Sequence, residues 1–168
     1  MTSAGFRLVR VDDRLLHGQV VFGWGQALAP RGYLIVDDEI AADPWEREAM
    51  MAIAPGGAEV DVREVGAFLD ERSGWPSAAE ETILLLRDLP TARRLTRAGF
   101  SPARGFNLGG LHAHRGTREL LPYVHLTQED RTILRELFDA GVSFYAQDLP
   151  TSPRVSGARL QEMLAAST

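Results

Sequence analysis

Apolar positions along this chain follow two alternating spacings: short runs of branched and aromatic residues, and longer stretches apolar at every third or fourth position. Residues 6–11 (FRLVRV) read as a first strand. Leu16, Val20, Trp24 and Leu28 then recur at every fourth position, one face of a helix, until Pro30-Arg31-Gly32 breaks it. Residues 33–36 form a second strand. Asp43-Pro44 is a helix cap with proline in the first turn, and that helix runs through Met50 and Ile53 to Pro55-Gly56-Gly57. Residues 58–63 alternate as a third strand, with a short helix over Val65, Phe68 and Leu69 and a loop at residues 73–76. The most continuous apolar run is TILLL at 82–86, as a central parallel strand buried on both faces requires. A helix at 90–99 stops at Gly99. A short strand at 105–110 runs into a turn, and another strand lies at 123–126. Thr127 with Asp130 reads as a capping box opening a helix that ends at Gly141. A last strand at 142–146 and a helix at 156–166 complete the chain. The alternation predicts an α/β fold: an open, mainly parallel β-sheet flanked by helices on both faces, in one domain over residues 1–168.

Composition narrows the chemistry more than the fold. The 168 residues include no cysteine, which removes disulfides, thiolate catalysis and cysteine-bound zinc. All 18 Lys+Arg residues are arginine, so no lysine is present for a Schiff base, a P-loop or a phosphoaspartate receiver. The net charge of −5 argues against general affinity for nucleic acid. No apolar run reaches the ~20 residues of a membrane span, and the N-terminus lacks a secretory pattern, which favours a cytoplasmic location.

Open parallel sheets bind ligands at the carboxyl ends of their strands. Three polar clusters fall at predicted strand ends: Asp12-Asp13-Arg14, Asp37-Asp38-Glu39, and Asn107 with Gly109-Gly110. His17 stands just before a predicted helix, whose first N–H groups lack partners and favour an anion. A phosphoryl group on His17 would find those donors, beside Gly18 and Gln19, and the fork of Arg14. Asp12 or Asp13 would orient the imidazole or Arg14. The same residues also fit a plain turn, with Asp13 as a cap, Arg14 as a surface charge and His17 as a first-turn residue. His112 and His114, even with His125, lack a clear third metal ligand and read as a loop at the rim, so no metal and no cofactor is assigned. Trp24 and Trp45 read as core, and Trp75 is left unassigned.

RVDDRLLHGQV at 10–20 resembles the phosphorylation motif of the mannose/sorbose-type enzyme IIB component of the bacterial phosphotransferase system. The resemblance continues at VDDEI (36–40) through Asp43-Pro44, at NLGG (107–110), at TQED (127–130) and from Val142 to Pro150, covering about residues 6–155. It implies an open α/β phosphocarrier. His17 would take a phosphoryl group on Nδ1 from a IIA protein and pass it to a sugar entering through the membrane components IIC and IID. It further implies Arg14 as a phosphoryl-binding residue, with Asp12, Asp13, Gly18 and Gln19 positioning the group. Asp37, Asp38, Asn107, Gly109 and Gly110 are then candidates for the rim. Family members often dimerise, which leaves a homodimer open. The chain departs from the family at Phe22-Gly23-Trp24, where a hydroxyl residue and a lysine-rich helix are usual, and at the histidines of LHAHR (111–115). Two other classes share the residues: a regulatory phosphoprotein of the same fold that never passes the group to sugar, and a hydrolytic or binding domain using His17 as a base.

Overall fold

The computed structural model describes residues 2–71 and 79–166; the expected loop at 73–76 and Trp75 lie outside them. Ten strands occur among the described residues: β1 (Thr2–Ala4), β2 (Leu8–Val11), β3 (Gly32–Val36), β4 (Glu59–Arg63), β5 (Thr82–Leu86), β6 (Phe100–Pro102), β7 (Phe106–Leu108), β8 (Arg118–Leu121), β9 (Val124–Leu126) and β10 (Phe144–Ala146). Six of them form one parallel sheet in the order β10-β7-β2-β5-β3-β4. The run TILLL is central in it, between β2 and β3, and Ile83 to Leu86 are fully buried. Two small pairs stand apart, β1 parallel to β6 and β8 antiparallel to β9. Residues 123–126 are thus a hairpin strand outside the main sheet.

The helices are α1 (Gln26–Leu28), α2 (Asp38–Ala42), α3 (Pro44–Ile53), α4 (Val65–Asp70), α5 (Leu89–Arg97), α6 (Gln128–Asp139) and α7 (Gly157–Ala166), with a π-helix at Gln19–Gly25 before α1. They cover both faces. One apolar cluster packs α4, α5, α6 and α7 on Val9, Val11, Leu84, Phe106 and Phe144. The other packs the π-helix and Ile40 of α2 on Leu8, Ile35, Ile83, Leu85 and Tyr145. The caps behave as their chemistry requires. Thr127 and Asp130 exchange side-chain-to-backbone bonds in a capping box, and Asp43 accepts from the Trp45 and Glu46 N–H groups.

Two sequence expectations are corrected. The stretch after His17 is a π-helix for seven residues, and α1 supplies only its last turn. Leu16, Val20 and Trp24 are buried as expected, but their strict four-residue step is wider than the α-helical 3.6, and i→i+5 bonding takes up the difference. Glycine makes the wide turn fit. A Cβ on Gly25 would overlap the Tyr33 hydroxyl, and one on Gly23 would lie 3.0 Å from Leu149 Cδ2. Trp45 is not core: it is 82% exposed, because α3 lies outside β4 with none of its residues buried.

The connections explain where a site can form. The chain leaves β2 toward the π-helix face, whereas it leaves β5 and β7 toward the opposite face. Neighbouring strands β2 and β7 therefore send their carboxyl-end loops apart and open a crevice between them, the position at which open α/β sheets hold ligands.

Candidate functional site

Asp12 follows β2 at this crevice and is fully buried. Its N–H donates to Leu86 O at the end of β5, and the Asp13 N–H donates to Gly110 O after β7. Three neighbouring strands are thus tied together where the chain turns. The turn is tight: the Arg14 N–H donates to Asp12 Oδ1 at 3.1 Å and the Leu15 N–H to Asp12 O at 2.9 Å. Leu15 is buried with φ of +54°, a left-handed conformation that costs a branched residue about 1–2 kcal/mol. That turn delivers His17 back to the carboxylate it has just passed.

The Asp12 carboxylate is the node. Oδ2 accepts from Arg10 Nη2 at 2.9 Å and Nε at 3.2 Å, and from the Gly110 N–H at 3.1 Å. His17 Nε2 also lies 3.1 Å from Oδ2, while Arg14 Nε approaches Oδ1 at 3.4 Å. Burial pushes the Asp12 pKa up, but the His17 hydrogen bond, the Arg10 charge and the Arg14 N–H outweigh it and hold Asp12 well below the usual carboxylate range. An ionised carboxylate only accepts, so His17 Nε2 carries the proton toward Asp12. In the neutral imidazole this leaves Nδ1 as the lone-pair nitrogen, and no hydrogen bond to it occurs among the described residues.

Behind Asp12 sits Arg10, also fully buried. Its Nη1 donates to Asn107 Oδ1 at 2.7 Å and to Gln147 O at 3.0 Å, and its guanidinium lies 5.8 Å from the Trp24 ring centre. Burial lowers the Arg10 pKa, against the opposing pull of Asp12. Gly109 and Gly110 are small because these cations need the space: a Cβ on Gly109 would overlap the Arg10 guanidinium, and one on Gly110 would lie 3.0 Å from Arg14 Nη2.

The sequence model of the family described as PTS system sorbose subfamily IIB component matches residues 6–166. The chain belongs to that family. It is a sugar-specific component of the phosphotransferase system, and IIB components are phosphotransferases. The N-acetylgalactosamine-specific phosphotransferase enzyme IIB component 1 of Escherichia coli (strain K12) is 29% identical over 154 residues, 89% of this chain and 94% of that protein. The mannose-specific EIIAB component of the same strain is 26% identical over 148 residues, which cover 88% of this chain and 46% of that longer protein. Among solved structures, the IIBSor domain of the sorbose permease from Klebsiella pneumoniae superposes with a TM-score of 0.84 at 25% identity, over 98% of each chain. The manxB structure from Thermoanaerobacter tengcongensis gives 0.78 at 30% identity, over 92% of this chain and 93% of that one.

In this IIB component the other expected site residues divide sharply. Gln19 Oε1 accepts from Arg14 Nη2 at 2.8 Å and holds that guanidinium beside the histidine. Asp13 holds a second histidine, accepting from the His112 N–H at 2.7 Å and lying 2.6 Å from its Nδ1. Gly18 has ordinary helical dihedrals and only Phe22 near a built Cβ, at 3.9 Å, so neither backbone nor packing demands glycine there. Asp37 and Asp38 do not join the site. Asp37 caps α2 and binds Arg87 Nε at 2.6 Å, and Asp38 binds the Val65 N–H and Arg94, whose hydrogen bond draws its pKa down. They follow β3, separated from β2 by β5, so the three clusters converge only as two. His114 turns into its own loop, with Nδ1 on Arg115 O at 3.1 Å. Among the described residues no three metal-binding side chains gather, and no helix is long and apolar enough to cross a membrane.

Arg10 and Gln147 are the residues that sequence reasoning missed. Arg10 stood within the motif at 10–20 but was given no role of its own. Its one available signal was a charge in an otherwise apolar strand, two residues before an aspartate.

Proposed function

We propose that this IIB component carries a phosphoryl group on Nδ1 of His17, received from a phosphohistidine of a IIA protein and passed to a sugar entering through IIC and IID. The observation that carries the reading is the Asp12–His17 bond, which commits Nε2 as donor and leaves Nδ1 as nucleophile. In the first transfer a bond forms from Nδ1 to phosphorus while the donor's N–P bond breaks, and the Nε2 proton stays on His17. Phosphoryl transfer asks a protein for in-line positioning and charge stabilisation. Arg14, 38% exposed and braced by Asp12 and Gln19, supplies the cation without being a structural pillar. The mannose-specific EIIAB relative joins IIA and IIB in name, which supports a IIA donor for this chain.

The test is incubation with labelled phosphoenolpyruvate, enzyme I, HPr and a cognate IIA. Acid-labile, alkali-stable label that His17→Ala abolishes is the expected result. Label persisting in that variant, or none in the wild type with a competent IIA, would overturn the proposal. Arg14→Ala should fold with stability within ~0.5 kcal/mol of wild type. Its phosphorylation should slow by about 10²-fold, as loss of one charge-stabilising donor does; rapid-quench labelling measures it, and an unchanged rate removes Arg14 from the transfer.

A further inference from the structure

Asp12 and Asp13 are adjacent, and each holds a histidine, but by opposite ring nitrogens. Asp12 takes Nε2 of His17, whereas Asp13 takes Nδ1 of His112 at 2.6 Å. The His112 N–H already tethers its loop to Asp13 Oδ2 at 2.7 Å, so the second bond serves the ring. It fixes the imidazole with Nδ1–H toward the carboxylate and Nε2 as the lone-pair nitrogen, the arrangement of a carboxylate-oriented general base. The ring lies close to Arg14: a single Cβ built on Gly110 would lie 3.0 Å from both His112 Cε1 and Arg14 Nη2, and 3.2 Å from Asp12 Oδ1. The His112 side chain is 52% exposed, open to a small substrate and to water.

The two transfers of a phosphocarrier differ in their proton balance. Moving the group between two imidazole nitrogens releases no proton. Moving it to a sugar hydroxyl releases one, because the O–H bond is lost as the O–P bond forms. We propose that His112 is the general base of this second step, an inference that rests on the phosphocarrier reading of His17. The sugar oxygen attacks phosphorus, the Nδ1–P bond breaks with its electron pair returning to His17, and the hydroxyl proton passes to His112 Nε2 and then to solvent. Asp13 is the positioning residue that holds the ring and steadies its positive charge once protonated.

The two steps separate experimentally. Wild type, His112→Ala, His112→Gln and Asp13→Asn are charged with labelled phosphoryl through enzyme I, HPr and the cognate IIA. The charged proteins are then mixed with sugar and vesicles bearing the cognate IIC and IID. We expect both His112 variants to charge at the wild-type rate and to discharge to sugar about 10²-fold more slowly or worse, with Asp13→Asn between. A structural or phosphoryl-binding role for His112 would slow both steps together, and that result overturns the inference. So does discharge at the wild-type rate in both His112 variants. If wild type charges normally, either result leaves the phosphocarrier reading standing. A wild type that takes no label overturns that reading, and the inference with it.

Discussion

Asp12→Asn should destabilise this protein by about 3 kcal/mol or more and nearly silence His17. The stability loss follows from Arg10, whose buried guanidinium loses the only fully buried counter-charge it has among the described residues; removing one partner of such a pair costs about 3–5 kcal/mol. Asp148 cannot replace it, because its Oδ1 lies 3.9 Å from Arg10 and its side chain is partly exposed. The effect on His17 follows from proton bookkeeping. An asparagine amide can donate to Nε2, which moves the imidazole proton to Nδ1 and occupies the attacking nitrogen. Phosphorylation should fall on the order of 10³–10⁴-fold, the scale of a wrong histidine tautomer. Denaturant melts and rapid-quench labelling measure the two effects separately. The pH dependence has a defined sign. The Asp12 pKa is lower folded than unfolded, so its stabilisation is complete above the unfolded value of about 3.9 and is lost as pH falls toward the folded one. The variant should therefore lose less stability than wild type between pH 5 and 2 (roughly, by these reference values). An unchanged acid limb, with labelling intact, would remove Asp12 from both roles.

Gly109→Ala should be the most damaging single-methyl change in the site, costing about 3 kcal/mol or more. Its Cβ would occupy the space of the Arg10 guanidinium, which is held by Asp12, Asn107 and the Gln147 carbonyl and has nowhere to move. Gly18→Ala is the matched control. That residue is already helical with an open Cβ position, so its stability should stay within ~0.5 kcal/mol of wild type. Thermal melts of the two variants decide the point. Equal melting temperatures would show that the β2–β7 crevice tolerates a moved Arg10.

Most strands and helices of this fold were legible because local signals agreed with global packing. TILLL had to be central, and Thr127 with Asp130 had to open a helix. The π-helix was less legible, because an apolar residue at every fourth position marks a buried face without fixing the hydrogen-bond pattern behind it. Trp45 was misread because an aromatic residue on a helix suggests core only if that helix has something to lie on. At the site, sequence proximity sufficed for the Asp12-to-Gln19 turn. It could not reveal that Asn107 reaches Arg10 across 97 positions, or that Asp37 is two strands away, since both depend on strand order. Asp13 and His112 are 99 positions apart and meet for the same reason.

Arg10 also bears on how the sheet moves. Strands β7 and β10 have three residues each and lie at one margin of the sheet, where short pieces ordinarily fray. Detaching them would strip Arg10 of Asn107 and of the Gln147 carbonyl and expose the whole Arg10–Asp12 pair at the end of β2. Local opening of this margin therefore carries the added cost of those bonds and of an uncovered buried cation. The crevice that holds His17 keeps its shape because one of its walls is fastened through a cation that solvent never reaches.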